Sequence, residues 1–335
     1  MMDYTAILER VLPHVGADLL REEDRPRIHD IGGYFPLLRL GCLEFRLSEE
    51  NMQVDFMLNL AGKWNERSRI TQLTEKIAQL PEGPWKDTWK QADHFRQQWS
   101  TRDSRLDKLV SNQFIVFDLL PDQLPSAPPW FYFGFRPSTY GMTEEEYLDA
   151  LKFSMGISFP AFPTSVYQQI RHLYRNRPSD TVIPAFGPLF ARNQQGIRVG
   201  MRPVNDQEAL LDLLQTNNWQ GPQESVKELS DQLMPLANRC EIVLDCTEPV
   251  SNYLGLECWF GGDPKHRIGI FFDKLSDLGL CSEAKKNALL AFPGEERVAG
   301  LGRLGRTINH VKVIWQDGKP VQAKTYLFFH FRPGT

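Results

Sequence analysis

Charged side chains recur at alternate positions in several strand-like segments of this chain. Successive residues of a β-strand point to opposite faces, so one alternate set shares a face. The basic residues of this set are Arg46, Arg136, Arg198, Arg202, Lys312, Lys324 and Arg332. Arginine and lysine donate charge-assisted hydrogen bonds, and a face that gathers them therefore suits an anionic ligand rich in oxygen atoms.

The same alternate set contains aromatic rings and a few acids. The rings are Trp130, Tyr132, Tyr253, Trp259, Tyr326, His310 and His330, and the acids are Glu44, Asp245 and Glu257. Aromatic faces attract a developing carbocation, and a carboxylate beside them can accept a proton from a reacting molecule. Polar alternation is also typical of a sheet that faces water, which is the alternative to a lined cavity.

Two helices followed by two strands form a unit that recurs along the chain. The pattern is clearest in the last third, where helices are predicted around 209–214, 226–236, 265–278 and 282–291, and strands at 241–247, 253–260, 310–316 and 321–331. One internal order that repeats along a chain indicates supersecondary repeats.

The earlier units follow the same order with weaker boundaries. After one helix near the N-terminus, helices are predicted at 68–80, 85–99, 144–155 and 164–176, and strands at 37–47, 52–60, 113–120, 129–136, 182–192 and 196–204. Thr143 and Glu146 form a capping box for the helix at 144–155. Pro184 and Pro188 interrupt the strand at 182–192, because central strands tolerate proline poorly.

These patterns predict an α+β fold of five ααββ repeats within one domain, residues 1–335. The approximate repeats are 1–62, 63–137, 138–204, 205–262 and 263–335. Strand pairs joined by short turns are antiparallel, and ten strands suit a closed barrel better than an open sheet. We therefore expect a ten-stranded antiparallel barrel, surrounded by helices, with a cavity inside. The alternative is an arrangement of two separate sheets.

The composition argues against several function classes. A net charge of -4 does not favour nucleic acid as a partner. No apolar run approaches the roughly 20 residues of a membrane-spanning helix, and the N-terminus lacks the pattern of a secretory signal. We therefore expect a cytoplasmic protein without membrane insertion. Five cysteines without a C-x-x-C pair predict structural thiols, and the glycines in AGLGRLGRT predict a flexible loop.

Two short motifs and the order of the repeats resemble the ABBA-type prenyltransferases, whose ten-stranded barrels transfer isoprenyl groups to aromatic or peptide acceptors. The run LEFRL at 43–47 is similar to an L-E-x-S-like run of the indole-prenylating members, which implies that Glu44 accepts the proton of the acceptor. Lys324-Thr325-Tyr326 matches a K-x-Y pattern that binds the diphosphate, and Tyr132 in FYFGF is a looser match.

The resemblance implies roles for the whole alternate set. The implied diphosphate-binding residues are Arg46, Arg136, Arg198, Arg202, Lys312, Lys324, Tyr326 and Arg332. The residues implied in shielding the cation or binding the acceptor are Trp130, Tyr132, Tyr253, Trp259 and His330. IRVGMR and LGLECW depart from the family's basic–tyrosine pairs, and Asp55 stands where an arginine is expected. Either Arg198 and Arg202 substitute for the missing lysines or the diphosphate site is incomplete.

The resemblance thus predicts an enzyme of secondary metabolism that transfers an isoprenyl group from an allylic isoprenyl diphosphate to an aromatic small molecule or a peptide side chain. The chain has no D-D-x-x-D motif and no histidine spacing typical of a metal site. We therefore expect no protein-bound metal, and Mg²⁺ accompanying the diphosphate is the one cofactor left open. The alternative function is a non-catalytic barrel that binds a peptide or a small hydrophobic molecule.

Overall fold

The computed structural model of the chain describes residues 4–61, 84–119, 129–157, 159, 162–189, 194–260, 264–298, 302–316 and 318–333. The helices are α1 (Thr5–Val11), α2 (Asp24–Gly33), α3 (Pro84–Ser100), α4 (Arg105–Leu109), α5 (Glu144–Gly156), α6 (Thr164–Asn176), α7 (Gln207–Thr216), α8 (Gln223–Leu233), α9 (Pro264–Asp277) and α10 (Glu283–Ala291). The strands are β1 (Leu40–Arg46), β2 (Val54–Ala61), β3 (Val110–Leu119), β4 (Trp130–Phe135), β5 (Val182–Pro188), β6 (Gly196–Arg202), β7 (Arg239–Thr247), β8 (Leu254–Trp259), β9 (Gly294–Val298), β10 (Gly302–Trp315) and β11 (Gln322–Pro333).

Ten of these strands close into a barrel. The hydrogen-bonded order around it is β11, β1, β2, β3, β4, β5, β6, β7, β8 and β10, and β10 pairs with β11 to complete the circle. Neighbouring strands are antiparallel throughout. The predicted fold class, a closed ten-stranded antiparallel barrel surrounded by helices, is confirmed.

The apolar alternate set of the strands fills the space between the barrel and the helices. On β4, Phe131, Phe133 and Phe135 are at most 2% exposed. The ring centroid of Phe133 lies 4.3 Å from that of Phe95 on α3 and 5.5 Å from that of Phe186 on β5. Burial of one such side chain stabilises the fold by about 1.5–3 kcal/mol. Outward packing therefore determines which alternate set points into the barrel.

Local signals explain the helix boundaries that the sequence predicts well. The Thr143 hydroxyl accepts a hydrogen bond from the Glu146 amide, and the Glu146 carboxylate accepts one from the Thr143 amide, which confirms the capping box of α5. The predicted helix at 85–99 corresponds to α3. The helix predicted at 68–80 lies outside the described residues. The first unit contains α1 and α2, where one helix is predicted.

The prolines of β5 are accommodated by irregular pairing. The register between β5 and β6 shifts between Val182 and Ala185, on either side of Pro184. On its other edge, β5 pairs with β4 at two positions only, Phe133 with Phe186 and Gly134 with Ala185. Proline has no N–H to donate, so a bulge and a short ladder are what a proline-containing strand requires.

The prediction of a flexible loop in AGLGRLGRT is wrong for its described part. Gly302 and Gly305 lie in the first half of β10, which pairs with β9 on one side and with β11 on the other. β9 occupies the edge of β10 beyond the end of β8, because the ladder between β8 and β10 begins at His310. The glycine spacing carries no hydrophobic alternation, which is why the strand is not recognisable in the sequence.

The remaining global predictions concern membranes and thiols. Within the described part of the chain, no helix combines the length and the apolar character needed to cross a bilayer. All five cysteines are buried and unpaired. Burial raises the pKa of the Cys281 thiol to about 11, so this thiol is protonated at neutral pH.

Candidate functional site

A cavity of about 320 Å³ lies inside the barrel, and residues from all ten barrel strands line it. Its two sides differ in charge. We call the lining residues of β3, β4 and β5 the neutral wall; they are Ser111, Asn112, Phe114, Val116, Trp130, Tyr132, Gly134, Phe135, Pro184 and Ala185. We call the lining residues of β6, β7, β8, β10, β11 and β1 the charged wall; its ionisable chains include Glu44, Arg198, Arg202, Glu241, Glu257, Lys312 and Lys324.

Most of the residues singled out in the sequence lie on these walls. Those that line the cavity are Glu44, Trp130, Tyr132, Arg198, Arg202, Tyr253, Trp259, Lys312, Lys324 and Tyr326. The strand alternation therefore points to a lined cavity instead of a solvated sheet face. The roles assigned to these residues remain predictions.

Four residues with an implied role, and the inward acid Asp245, do not line the cavity. Arg46 is buried beside it and pairs with Asp55. Arg136 follows the last residue of β4, where the chain leaves the strand, and its guanidinium donates to the backbone oxygen and the carboxylate of Asp107. His330 and Arg332 lie in the part of β11 that pairs with the first half of β10, beyond the cavity. Strand alternation places His330 and Arg332 on the same side of β11 as Lys324 and Tyr326, but β11 extends beyond the cavity.

Glu44 lies on β1 and is 4% exposed. Its carboxylate accepts a hydrogen bond from the Lys324 ammonium at 2.7 Å, and Arg46 Nη1 lies 4.0 Å away. Burial opposes the charged form of Glu44, but Lys324 and Arg46 outweigh it and hold its pKa well below the ordinary range. Glu44 is therefore an ionised carboxylate that is held by a lysine.

Next to Glu44, on β2, Asp55 is fully buried and forms an ion pair of 2.6 Å with Arg46. It faces Glu44 on one side and Asp118 of β3 on the other. Burial, opposed by Arg46 and reinforced by Asp118 and Glu44, raises the pKa of Asp55 to about 7. Like charges directly opposite on neighbouring strands repel each other, which explains why an arginine sits beside them.

His310 is the centre of a stack of three rings on β8, β10 and β11. Its ring centroid is 4.4 Å from that of Trp259 and 4.0 Å from that of Tyr326, with interplanar angles of 19° and 17°. Nε2 of His310 lies 3.8 Å from the Glu257 carboxylate. Burial lowers the pKa of His310 to about 4, so the imidazole is neutral at pH 7.

Glu257 also holds Lys312, whose ammonium lies 3.1 Å from the carboxylate. Burial opposes ionisation of Glu257, but Lys312 outweighs it and lowers the pKa of the carboxyl. The side chain of Lys312 runs over Gly255, where a Cβ would lie 2.3 Å from its Cε. The glycine of LGLECW thus leaves room for the lysine that the neighbouring strand contributes.

Arg198 forms the most regular ion pair of the charged wall. Its Nε and Nη2 donate to the two carboxylate oxygens of Asp245 at 2.6 and 2.8 Å. The guanidinium also lies over the Tyr253 ring, 4.0 Å from its centroid. Burial alone favours the phenol of Tyr253, but Arg198 and Lys312 outweigh it and lower its pKa. Bidentate geometry of this kind is specific to arginine.

Arg202 and Glu241 lie where β6 ends and β7 begins. Arg202 donates to the Tyr140 hydroxyl at 3.0 Å and to Glu241 at 3.4 Å, and Arg239 lies 2.8 Å from the same carboxylate. Glu241 directly faces Glu257 on β8. Burial and the charge of Glu257 raise the pKa of Glu241 to about 7, against the opposing effect of both arginines.

The charges of this region therefore come in pairs. The pairs are Arg46–Asp55, Lys324–Glu44, Lys312–Glu257, Arg198–Asp245 and Arg202–Glu241. An anion that binds to these cations must replace or share the carboxylates that already hold them. Sequence reasoning collected the cations but missed Asp55 and Glu241 as their partners, and it gave no role to His310 and Glu257. Strand parity placed the last two on the inward face.

No cluster of three or more histidine, cysteine or acidic side chains suited to a metal ion occurs among the described residues. The carboxylates on the cavity face basic side chains instead.

Comparison with known proteins gives similarity in structure only. No family model and no curated protein sequence matches the chain. The solved structure of AnaPT from Neosartorya fischeri is 13% identical, with a TM-score of 0.64, and covers 99% of this chain and 93% of that chain. 5-Dimethylallyltryptophan synthase from Streptomyces coelicolor is 13% identical, with a TM-score of 0.56, over 96% and 95% of the two chains.

The prenyltransferase PriB is a third similar structure, 12% identical with a TM-score of 0.56, over 98% of this chain and 96% of that chain. PriB has also been solved with L-tryptophan and dimethylallyl thiolodiphosphate. These likenesses extend over nearly the whole chain, so the barrel has the fold of the ABBA-type prenyltransferases. At such low identity they establish the fold alone.

Proposed function

We propose that this protein transfers an isoprenyl group from an allylic diphosphate to an aromatic acceptor inside the barrel. The observation that carries the proposal is the joint lining of one cavity by cations, aromatic rings and a carboxylate. Lys312, Lys324 and Arg198 supply the cations, Tyr253 and Tyr326 are among the rings, and Glu44 is the carboxylate. The similar structure of PriB with a thiolodiphosphate and L-tryptophan supports the same chemistry.

The reaction begins when the bond between the allylic carbon and the diphosphate oxygen breaks, and its electron pair leaves with the diphosphate. Lys312, Lys324 and Arg198 stabilise the negative charge that develops on the leaving group. Tyr253 and Tyr326 face the allylic cation with their rings and keep water from it. The acceptor ring then forms a bond to the cation, and its proton passes to Glu44.

The ion pair between Lys324 and Glu44 links donor binding to proton removal. While Lys324 holds Glu44 at 2.7 Å, the carboxylate is a weak base. A diphosphate that engages Lys324 withdraws the lysine from Glu44, and the pKa of the buried carboxyl then rises. Glu44 therefore becomes a competent base only when the donor occupies the cavity, which limits unproductive proton transfer.

The test is product formation from dimethylallyl and geranyl diphosphate with indole and phenol acceptors, followed by mass spectrometry. We expect Glu44→Gln to lower kcat by about 10²–10⁴-fold without weakening the binding of the diphosphate, because the substitution releases Lys324 from the carboxylate that holds it. Glu257→Gln is the matched control, because it removes the same charge from the same wall without removing the proposed base. No product with any acceptor, or equal losses in both variants, would contradict the assigned role.

A non-catalytic barrel that binds a peptide or a small hydrophobic molecule is the second candidate. The observation in its favour is the pairing of each named cation with a carboxylate, which reduces the attraction of the cavity for anions. In that case Glu44→Gln leaves ligand affinity almost unchanged and no turnover occurs. Mg²⁺ enters the proposal only as a companion of the diphosphate, and product formation in the presence of EDTA tests whether it is required.

A further inference from the structure

Three carboxylates lie side by side on the inner face of the barrel. In the register of β1, β2 and β3, Glu44 faces Asp55, and Asp55 faces Asp118. Residues directly opposite on antiparallel strands share a face, with Cβ atoms about 4.5–5.5 Å apart. We call these three residues the acid row. Its first member, Glu44, lines the cavity.

The acid row leads from the cavity to one end of the barrel. Glu44 is almost completely buried, and Asp55 has no exposed surface. Asp118 is half-buried and is the last residue but one of β3. At the same end of the barrel, β1 ends at Arg46 and β2 begins at Val54. The row therefore connects a closed position beside the cavity with a carboxylate that solvent reaches.

Neighbouring side chains hold the members of the row in place. Nη1 of Arg46 lies 4.0 Å from Oε1 of Glu44 and 2.6 Å from Oδ2 of Asp55, so the two carboxylates share one guanidinium nitrogen as a neighbour. The Gln53 amide donates to Oδ1 of Asp55 at 3.3 Å. The orientation of Asp55 towards Glu44 is thus fixed from two sides.

The groups that face Asp55 let it take up and release a proton near neutral pH. They are Arg46 and Glu44 on β1, Asp118 on β3 and Lys324 on β11. Burial, reinforced by the two acids, raises the pKa of Asp55 to about 7 against both cations. Lys324 and Arg46 hold the pKa of Glu44 well below the ordinary range. A proton on Glu44 therefore moves favourably to Asp55 whenever Lys324 lies beside Glu44.

The proposed reaction requires such a transfer in every cycle. The acceptor's proton ends on Glu44, and the next turnover needs the carboxylate again. Product and diphosphate fill the cavity at that moment, so they separate Glu44 from the solvent on the cavity side. When the diphosphate leaves, Lys324 returns to Glu44 and again disfavours its protonated form.

We propose that Asp55 and Asp118 carry the proton from Glu44 to the solvent at the end of each turnover. The O–H bond of Glu44 breaks as one forms on Asp55, the proton passes in the same way to Asp118, and water or buffer accepts it. The inference rests on the proposed function, since it concerns the proton that the reaction releases. Both residues act through Glu44, and neither is among the residues that line the cavity.

The test compares the first turnover with later ones by rapid quench and mass spectrometry. It uses dimethylallyl diphosphate and the indole or phenol acceptor that the wild type converts. The first turnover of Asp55→Asn begins with Glu44 ionised, so its rate should stay within about threefold of the wild type, whereas later turnovers should be at least about 10-fold slower. A residue with a purely structural role would slow all turnovers alike.

Two further variants complete the experiment. Asp118→Asn leaves the pair of Arg46 and Asp55 in place and should show a burst of the same kind, so it decides the question if Asp55→Asn does not fold. Asp245→Asn is the matched control, because it also takes a buried carboxylate from an arginine, but on β7 and away from the acid row. It should slow the first and the later turnovers by the same factor. Thermal unfolding establishes which variants are folded.

The outcomes separate the relay from the reaction itself. A burst in the acid-row variants, without one in Asp245→Asn, is the expected result. Equal slowing of first and later turnovers in the folded acid-row variants, or a burst of equal size in Asp245→Asn, overturns the relay and leaves the proposed function in place. A burst in Asp55→Asn but not in Asp118→Asn overturns the part assigned to Asp118. Absence of product from the wild type overturns the proposed function and the relay with it.

Discussion

The two walls of the cavity have the same strand architecture but different chemistry. On the neutral wall, inward positions hold aromatic, small and uncharged side chains such as Trp130, Tyr132 and Gly134. On the charged wall, the same inward positions hold ion pairs such as Arg198 with Asp245. A barrel of repeated units thus separates two kinds of side-chain chemistry by strand. Under the proposed function, the charged wall binds the diphosphate and contributes Tyr253 and Tyr326, and the neutral wall contacts the apolar parts of the substrates.

The two walls also differ in how a substitution affects the stability of the protein. Desolvation makes a buried ion pair weakly stabilising at best, yet removal of one partner is strongly destabilising because it leaves an unpaired buried charge. We therefore expect the replacement of one partner of an ion pair on the charged wall to destabilise the protein, and the replacement of both partners by apolar residues to be tolerated. The neutral wall lacks this constraint, because its side chains contribute by packing.

The largest expected effect comes from separating Arg198 from Asp245. Arg198→Met leaves Asp245 buried without its bidentate partner, and we expect the free energy of unfolding to fall by about 3–5 kcal/mol. The double variant Arg198→Met/Asp245→Leu should recover most of this loss. Urea denaturation measures both.

Arg202→Met is the control for that experiment. Arg202 belongs to the same wall, but its side chain is 34% exposed and its partner Glu241 retains Arg239. Partly exposed pairs contribute about 0–1 kcal/mol, so this variant should lose little stability. Equal losses for Arg198→Met and Arg202→Met would show that burial does not distinguish the two pairs.

A smaller effect concerns pH. The pKa of Glu241 in the folded protein is raised to about 7 by burial and by Glu257, above its value in the unfolded chain. The folded state therefore holds a proton that the unfolded state releases, and the stability from this group is lost as pH rises from about 4.5 through 7. Glu241→Gln should remove a decline on the order of 2–3 kcal/mol over that range.

Denaturation midpoints of the wild type and Glu241→Gln at pH 5 and pH 7.5 measure this difference. Glu257→Gln is the second variant, because the charge of Glu257 contributes to the raised pKa of Glu241. The pKa of Glu257 itself is lowered, so its own titration lies below pH 5 and does not enter this comparison. Glu257→Gln should therefore also make the decline shallower, by less than Glu241→Gln does. A steeper decline in Glu257→Gln would contradict the charge repulsion assigned to the facing pair.

Strand alternation in the sequence was enough to predict the barrel and most of its inward side chains. It succeeded for Lys324 and Tyr326 because the helices outside the barrel require the other alternate set to be apolar. Alternation wrongly placed Arg136 on the inward face, because the sequence pattern does not show that β4 ends at Phe135. The pairing of Arg46 with Asp55 could not be predicted, because it depends on the register between β1 and β2.

Two further features also depend on information that the local pattern lacks. β9 and the first half of β10 contain glycines and charges at positions where an alternating apolar pattern would be needed for recognition. The space for Asn112 depends on a bulge in β3 and a glycine on β4, which are adjacent only after the strands have paired. The local sequence shows Asn112 and Gly134 separately, and the contact between them forms only when β3 and β4 pair.

The most direct test of the central claim is calorimetric titration of dimethylallyl diphosphate into the wild type, Lys324→Ala and Lys90→Ala. Lys324 is buried against Glu44, whereas Lys90 is an exposed lysine on α3 and controls for loss of charge alone. The account predicts saturable binding that Lys324→Ala weakens by about 10- to 150-fold and Lys90→Ala leaves unchanged. No binding to the wild type, or equal effects of the two variants, would contradict a diphosphate site on the charged wall.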